Sequence, residues 1–270
     1  MTDQDRDPHP VDTDEAGSRS SSSPAKKHAL PLWLESILLL GFALLLAVGV
    51  KTFFLQAFYI PSQSMEPGLV ENDRILVQKV SYWGGDSPQR GDVVVFKDPG
   101  GWLNSVDSAT PDNLVIKAMS KIGLYPTGGH LVKRVIGVGG DTVTCCDDQG
   151  RLMVNGEPID EPYIRMPDAG CAGPMVTQCG EDWSSGVIPE GHVFVMGDNR
   201  AWSADSSHHL CKPSETDCVG GDAYVPVDLV VGKVFVLLWP ASHFTWIGTA
   251  DAFEDVPAPK DEAADSPSPK

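Results

Sequence analysis

Three short stretches of the sequence combine residue types that could together cleave an acyl bond. The first holds Ser62 and Ser64, the second, residues 130–141, sets Lys133 among aliphatic residues, and the third, residues 197–207, is rich in Asp, Arg and Ser. A serine hydroxyl is a weak nucleophile that needs a base within hydrogen-bond reach, and lysine is that base in some serine enzymes. Taken singly, each stretch also fits a turn, a strand or a loop with no catalytic role.

Lys133 lies in a context that can keep an amine neutral. At the reference pKa of about 10.4, only about one lysine in a few thousand is neutral at pH 7, and burial lowers the pKa. If the segment is a strand, Lys133 shares a face with Leu131 and Val135 and is set among apolar neighbours. Arg134 then points to the opposite face, and its permanently protonated guanidinium excludes it as the base.

Together, these stretches resemble the sequence boxes of type I signal peptidases, the membrane-anchored serine proteases that remove signal peptides from secreted proteins. Residues 64–67 (Ser-Met-Glu-Pro) are similar to the nucleophile box, residues 133–141 to the lysine box and residues 197–206 to the third box. Residues 90–97 are similar to a further strand of the family. Because the boxes follow the family's order over residues 55–240, the chain is identified as a member, of a Gram-positive, actinobacterial-like kind.

The resemblance implies a serine–lysine mechanism in which Ser64 is the nucleophile and Lys133 the general base. It further implies an oxyanion hole made by the Ser64 main-chain N–H and the Ser62 hydroxyl, with Ser203 orienting the Lys133 ammonium. Three more residues are implied to brace the site: Asp198, Arg200 and Asp205. The implied substrates are preprotein signal peptides, cut after small residues in an extended conformation, and no cofactor or metal is implied.

Four residues depart from the family pattern. Ala201 and Trp202 stand where the family usually has Asp-Asn, Ser207 stands where it has Arg, and Gly68 stands where it has Thr. None of these changes removes the nucleophile, the base or Ser203. They leave the local salt bridges and the substrate preference open.

An apolar segment precedes these boxes. Residues 30–50 carry one charge, Glu35, close to one end, and as a helix they span about 30 Å, the thickness of a bilayer's hydrocarbon core. A buried core helix would show a polar stripe, and a cleaved signal peptide would end in a small-x-small site before Lys51. The pattern therefore predicts one uncleaved transmembrane helix over residues 32–50.

The basic residues around this segment predict its orientation. Arg19, Lys26 and Lys27 precede the helix, whereas Lys51 alone follows it directly. The excess of positive charge predicts a cytoplasmic N-terminus. We therefore expect a single-pass protein of the cell membrane, with the bilayer as a partner and the catalytic domain outside the cytoplasm.

The rest of the chain divides into two tails and a body. Residues 1–31 and 251–270 are rich in Ser, Pro and acidic residues and are predicted to be disordered. The body, residues 51–250, is predicted to be a mainly β, antiparallel catalytic domain with an inserted cap region. Two insertions are expected, near residues 98–125 and 147–190.

The β prediction follows from short β-branched runs between turn residues. Asn155-Gly156, directly after an apolar run, predicts a type I′ hairpin. A helix is expected at 114–122, and residues 168–185 are expected to be irregular. The predicted strands lie near residues 74–80, 93–96, 132–138, 151–154, 192–196 and 230–238.

Residues 52–60 form an aromatic and aliphatic stretch that begins at the expected membrane surface. Two interpretations stay open for this stretch. It forms either a core strand or a face that contacts the membrane, since an exposed apolar patch of that size needs a partner.

All six cysteines lie in the body, in a compartment where disulfides persist. Adjacent Cys145 and Cys146 would point to opposite faces of a strand, so they are left unassigned. A zinc site is disfavoured because the sequence has no C-x2-C spacing. Local loop closure favours two pairs: Cys171 with Cys179, and Cys211 with Cys218.

Composition and context limit the alternatives. With 20 Lys+Arg against 37 Asp+Glu, the net charge of −17 excludes a generally basic nucleic-acid binder. A self-cleaving repressor-type serine–lysine protease would carry a DNA-binding module in place of the acidic tail and anchor. An anchored, non-enzymatic binding module, in which Ser64 and Lys133 are only structural, is an alternative of another class. A sortase-type cysteine protease is disfavoured because no cysteine has the context of a nucleophile.

Overall fold

A computed structural model describes residues 31–103, 129–165, 183–211 and 220–259. The chain forms two units, residues 1–44 and 45–270, and the strands belong to the second. Four expectations concern residues outside the described ranges: the tails over residues 1–30 and 260–270, the helix at 114–122, and the Cys171–Cys179 pair.

One long helix, α1, covers Leu32–Phe53 and is about 33 Å long at 1.5 Å per residue. It begins after Pro31, whose carbonyl accepts hydrogen bonds from the N–H groups of Leu34 and Glu35. Within it, Leu32–Val50 is long and apolar enough to cross a membrane, and none of this stretch is buried in the protein. Among the described residues it is the one helix with these properties, and its bounds match the predicted anchor.

The described strands pair in antiparallel fashion, which confirms the predicted mainly β fold class with one N-terminal apolar helix. They are β1 (Leu55–Tyr59), β2 (Arg74–Gln78), β3 (Val93–Lys97), β4 (His130–Val138), β5 (Thr142–Cys145), β6 (Met153–Val154), β7 (Glu157–Pro158), β8 (Trp183–Val187), β9 (His192–Met196), β10 (Val225–Pro226), β11 (Val230–Trp239) and β12 (Thr245–Trp246).

The main sheet has the strand order β1-β2-β11-β3-β4-β9-β10, and β12 pairs with β11. The central strand β3 is covered on both faces, which explains its uninterrupted apolar run. Val93 and Val95 belong to one buried cluster, whereas Val94 and Phe96 belong to another. Since β4 lies beside β3, the strand that carries Lys133 is held against the most deeply buried part of the sheet.

A second sheet has the order β7-β6-β5-β8. Asn155 and Gly156 both have positive φ, 55° and 86°, in the turn between β6 and β7, as the predicted type I′ hairpin requires. The predicted insertion at 147–190 thus contributes three strands to a folded layer. A shared core of β4, β5 and β9 side chains, with neighbours from this layer, joins the two sheets.

The expectation of irregular chain over residues 168–185 is wrong for its described part, which begins at Trp183. Strand β8 starts there and pairs with β5, placing Ser184 opposite Thr144. The Ser185 hydroxyl accepts a hydrogen bond from the N–H of Val143, about forty residues earlier in the chain. Strand β8 is fixed by this non-local pairing with β5. Its serine- and glycine-rich sequence shows no alternation of apolar and polar residues that would predict a strand.

The expectation of disorder from residue 251 onward is wrong as far as residue 259. Phe253 and Val256 insert into the core shared by the two sheets. The Arg90 guanidinium donates to the carbonyl of Pro257 at 3.2 Å. Two apolar residues three positions apart are enough to fix a segment whose overall composition is typical of disorder.

The cysteines that the structure describes are all bonded. Strand β5 ends at Cys145, so the strand alternation considered for Cys145 and Cys146 does not extend to Cys146, and their sulfur atoms are bonded to each other. Cys211 is also in a disulfide. Its expected partner, Cys218, lies outside the described residues.

The structure confirms the core-strand interpretation for one face of residues 52–60, and the membrane-contact interpretation stays a prediction. Helix α1 continues to Phe53, and β1 follows from residue 55. Phe58 and Ile60 are buried in the core, whereas Phe54 and Tyr59 are exposed. The stretch is therefore a core strand on one face and an exposed aromatic surface on the other.

Candidate active site

Ser64 lies in a turn after β1 that buried apolar side chains fix in place. Met65 and Leu69 are buried in the same core cluster, and Ser64 itself is 8% exposed. Asn199 holds the turn from the opposite side, because its main-chain N–H donates to the carbonyl of Ser64 at 3.0 Å. Its side-chain Nδ2 also donates to the carbonyl of Gln63 at 3.0 Å. Two hydrogen bonds from Asn199 thus hold the backbone at Ser64 and Gln63 in place.

The hydroxyl of Ser64 meets the amine of Lys133. The Nζ–Oγ distance is 2.6 Å, and Lys133 is 4% exposed. Burial lowers the pKa of Lys133 to about 8, against the opposing charges of Asp205 and Asp198. In the neutral form of the amine, Ser64 donates the hydrogen bond to Nζ, which is the geometry for general-base activation.

The strand face predicted for Lys133 agrees with the register of β4. Lys133 lies opposite Val94, and Val94, Leu131 and Val135 belong to one buried cluster. The next residue, Arg134, lies opposite Val93, on the other face. The alternation of the strand therefore separates the two adjacent cations.

Ser62 lies next to the nucleophile. Its hydroxyl oxygen is 3.2 Å from Ser64 Oγ, and the residue is exposed to the groove side. A hydroxyl at this distance can reach an oxyanion that forms beside Ser64. The oxyanion-hole role of Ser62 and the Ser64 N–H stays a prediction.

Ser203 donates its hydrogen bond to a carboxylate. Its Oγ is 2.5 Å from Asp205 Oδ2. Among the described residues, Lys133 Nζ forms its hydrogen bond with Ser64. The role of Ser203 in orienting Lys133 stays a prediction.

Gly197 is required by the close approach of two loops. A Cβ at this position would collide with the Ser64 carbonyl and with the Ser203 side chain. The main-chain N–H of Gly197 donates to Asp205 Oδ2 at 3.0 Å. The glycine thus lets residues 197–207 lie directly against the turn that carries Ser64, a constraint that sequence reasoning missed.

Arg134 forms a buried, two-pronged ion pair with Asp198. Its Nε and Nη2 donate to the two carboxylate oxygens at 2.8 and 2.7 Å. The ring of Tyr163 lies 4.1 Å from the guanidinium carbon. Asp198 is therefore fixed to β4 by Arg134, and its bracing role stays a prediction; Tyr163 is a neighbour that sequence reasoning missed.

Arg200 is also buried and paired. Its Nη2 donates to both carboxylate oxygens of Glu161, at 2.8 and 2.9 Å, and its Nε donates to the carbonyl of Gly197. Glu161 lies 39 residues before Arg200, in the predicted insertion, and no local motif marks it. Sequence reasoning therefore named the cation of this pair but not the anion.

The departures from the family pattern have distinct surroundings. Ser207 donates to Asp205 Oδ1 through its N–H, at 3.1 Å, and through its hydroxyl. Trp202 is 72% exposed. A Cβ on Gly68 would lie 3.7 Å from Asp198 Oδ2, an ordinary contact, so nothing in the structure demands glycine there.

A largely apolar groove of about 370 Å³ opens beside the dyad. Its walls come from β1, the nucleophile turn and the first residues of β4. Over the described ranges, no group of three or more His, Cys, Asp or Glu side chains is arranged to hold a metal ion. The groove is lined by Phe58, Tyr59, Ile60, Pro61, Ser62, Ser64, Met65, Leu103, Gly129, His130, Leu131, Val132 and Lys133.

Comparison with known proteins gives consistent matches. The family model described as "Signal peptidase, peptidase S26" matches residues 33–239, more than half of the chain. The chain is 40% identical to "Probable signal peptidase I" of Mycobacterium leprae over 250 residues, covering 86% of this chain and 83% of that protein. It is 40% identical to "Signal peptidase I" of Mycobacterium tuberculosis, covering 85% and 79%. It is 32% identical to "Probable signal peptidase I-2" of Synechocystis, covering 93% and 91%.

Proposed function

The chain belongs to the signal peptidase family, peptidase S26, and we propose that Ser64 and Lys133 are the nucleophile and general base with which it cleaves signal peptides from preproteins. The chain is accordingly a serine endopeptidase of the signal peptidase I type. The observation that carries the residue assignment is the 2.6 Å contact between Ser64 Oγ and Lys133 Nζ, in a setting that excludes most solvent.

The reaction follows from this contact. Neutral Lys133 takes the proton from Ser64 Oγ as that oxygen attacks the scissile carbonyl, and the resulting ammonium then protonates the leaving amine. The Ser64 N–H and the Ser62 hydroxyl stabilise the oxyanion of the tetrahedral intermediate. Water, activated by the same lysine, hydrolyses the acyl-enzyme and restores Ser64.

The edge of β4 supports binding of an extended peptide. From Arg134 onward β4 pairs with β9, whereas among the described strands residues 131–133 pair only with β3. The other edge of these three residues lies along the groove. An extended signal peptide can add to this edge as a strand and place side chains against the apolar wall around Phe58 and Ile60.

The anchor supports a location at the membrane. Family membership and the exposed apolar stretch Leu32–Val50 together make the chain a membrane-associated protein. We propose a cytoplasmic N-terminus, from the basic residues before the helix. Ser64 follows the end of the apolar stretch by 14 residues, so cleavage would occur close to the bilayer surface.

A cleavage assay tests this function. The full-length protein in detergent micelles is incubated with a preprotein that carries its signal sequence, together with the variants Ser64→Ala and Lys133→Ala. We expect the wild type to release the mature protein at a rate that rises with pH with a midpoint near 8, where half of Lys133 has lost its proton. Both variants should be inactive yet keep the wild-type circular dichroism spectrum. Wild-type turnover in either variant would refute the dyad, and an inactive wild type would favour a binding module.

A further inference from the structure

Asp205 is a buried carboxylate that neutral donors surround. It is 1% exposed. Oδ2 accepts hydrogen bonds from the Gly197 N–H at 3.0 Å and from Ser203 Oγ at 2.5 Å. Oδ1 accepts bonds from the N–H and the hydroxyl of Ser207. Four neutral donors stabilise the anion without cancelling its charge.

The other charges near the dyad cancel in pairs. On the far face of β4, Arg134 is paired with Asp198. On the loop after β9, Arg200 is paired with Glu161. Both pairs are buried, and each arginine offsets part of its partner's negative charge, although Asp198 still favours the protonated form of Lys133.

Asp205 is the buried carboxylate near the dyad that belongs to neither of these two ion pairs. In the described part of the chain it forms no ion pair with Lys, Arg or His. Two further titratable groups face this region: burial raises the pKa of Tyr163, and burial beside His208 lowers the pKa of His209. Tyr163 and His209 are therefore both neutral near pH 8. The charge of Asp205 therefore acts on Lys133 and favours its protonated form.

We propose that Ser207 is a positioning residue that sets, through Asp205, how firmly Lys133 holds its proton. The inference rests on the proposed function and deepens it. The Ser207 hydroxyl points the positive end of its dipole at the carboxylate and offsets part of its negative field. It also fixes Oδ1, which leaves Oδ2 aligned with Ser203.

Two substitutions at Ser207 should act in opposite directions. Ser207→Ala removes the hydroxyl dipole, so the field of Asp205 at the lysine becomes more negative and the ammonium is held more firmly. Ser207→Arg places a cation against Asp205 and cancels that field, so the amine is freed at lower pH. Ser207→Thr keeps the hydroxyl and should behave as the wild type.

The experiment measures the pH dependence of kcat/KM for a signal-sequence peptide with the full chain in detergent micelles. We expect the midpoint to move up by about half a pH unit in Ser207→Ala and down by about one unit in Ser207→Arg. Ser206→Ala is the matched control, because Ser206 Oγ accepts a hydrogen bond from the Val195 N–H and forms none with the Asp205 carboxylate. Its midpoint should equal that of the wild type.

The possible outcomes distinguish a failure of the inference about Ser207 from a failure of the proposed function. An unshifted midpoint in folded Ser207→Ala overturns the role of Ser207, and so does an equal shift in Ser206→Ala. If Ser207→Arg fails to fold, as a thermal melt would reveal, the Ala and Thr variants decide the matter. A wild type that does not cleave the peptide overturns the proposed function instead.

Discussion

Lys133 and Arg134 are neighbours on one strand, and the two faces of β4 treat them in opposite ways. Both side chains are buried. On one face Lys133 meets a neutral hydroxyl, and burial lowers its pKa to about 8. On the other face burial opposes the charge of Arg134, but the hydrogen bonds and charge of Asp198 outweigh it and raise the pKa.

The difference shows that burial alone does not decide whether a cation stays charged. A buried ion is tolerated when a carboxylate with good geometry faces it, and otherwise it gives up its proton. The proposed mechanism needs both results within two residues: Lys133 as a base that is neutral near the working pH, and Arg134 as a fixed cation that holds the third box in place.

Replacing each of the two cations by the other type should have the largest effect on cleavage and should differ most between the two faces of β4. In Lys133→Arg the guanidinium cannot lose its proton, so cleavage should fall about 10³-fold or more although the charge is kept. Arg134→Lys keeps the ion pair with fewer hydrogen bonds and should retain most of the activity. The rates are measured on the preprotein substrate. Comparable losses in the two variants would contradict the separate roles of the faces.

Removing the carboxylate should produce the largest loss of stability. Asp198→Ala leaves Arg134 buried without its partner, which should lower the free energy of unfolding by about 3–5 kcal/mol. Thermal unfolding in micelles measures this loss. Asp198→Asn keeps the shape and one acceptor, so its loss should be smaller; a melting temperature unchanged in Asp198→Ala would show that Arg134 does not depend on the pair.

Adding a methyl group at Gly197, where the third box meets the turn that carries Ser64, should have an intermediate effect on stability and kcat. The Cβ of Gly197→Ala meets the Ser64 carbonyl and Ser203, so we expect about 1–3 kcal/mol of destabilisation and a marked loss of kcat. Gly248→Ala is the control, since no neighbouring atom lies within 4 Å of its Cβ position. Equal behaviour of the two variants would mean that the loop approach is looser than described.

The exposed ion pair at the rim should contribute least. Arg165 and Glu66 are 3.2 Å apart, and half of the Arg165 side chain is exposed. Arg165→Ala should therefore change the stability by less than about 1 kcal/mol, with cleavage close to the wild-type rate. A loss as large as that of Asp198→Ala would remove the distinction between buried and exposed pairs.

The sequence was sufficient for the features that local patterns encode. The alternation around Lys133 placed it on the apolar face and Arg134 on the other, as the register of β4 confirms. The predicted apolar helix over residues 32–50 and the predicted Asn155-Gly156 hairpin also agree with the structure. These features depend on neighbours a few residues away in the chain, so they can be predicted without knowledge of the fold.

What the sequence missed depends on contacts across long stretches of chain. Glu161, the anion of Arg200, lies in a segment expected to be an insertion, and Tyr163 beside Arg134 comes from the same segment. The burial of Phe253 and Val256 was hidden by an acidic, proline-rich composition. Partner choice among several buried Asp, Glu and Arg residues is set by the fold, and no spacing rule encodes it.

The protonation of Lys133 tests the central claim most directly. The full-length protein is labelled with ¹³C-lysine, and the lysine Cε resonances are followed through a pH titration in micelles, with Lys133→Arg used to assign the signal. We predict one resonance with a midpoint near 8, absent from the Lys133→Arg spectrum. If every lysine titrates near the ordinary value of about 10.4, Lys133 is not the base.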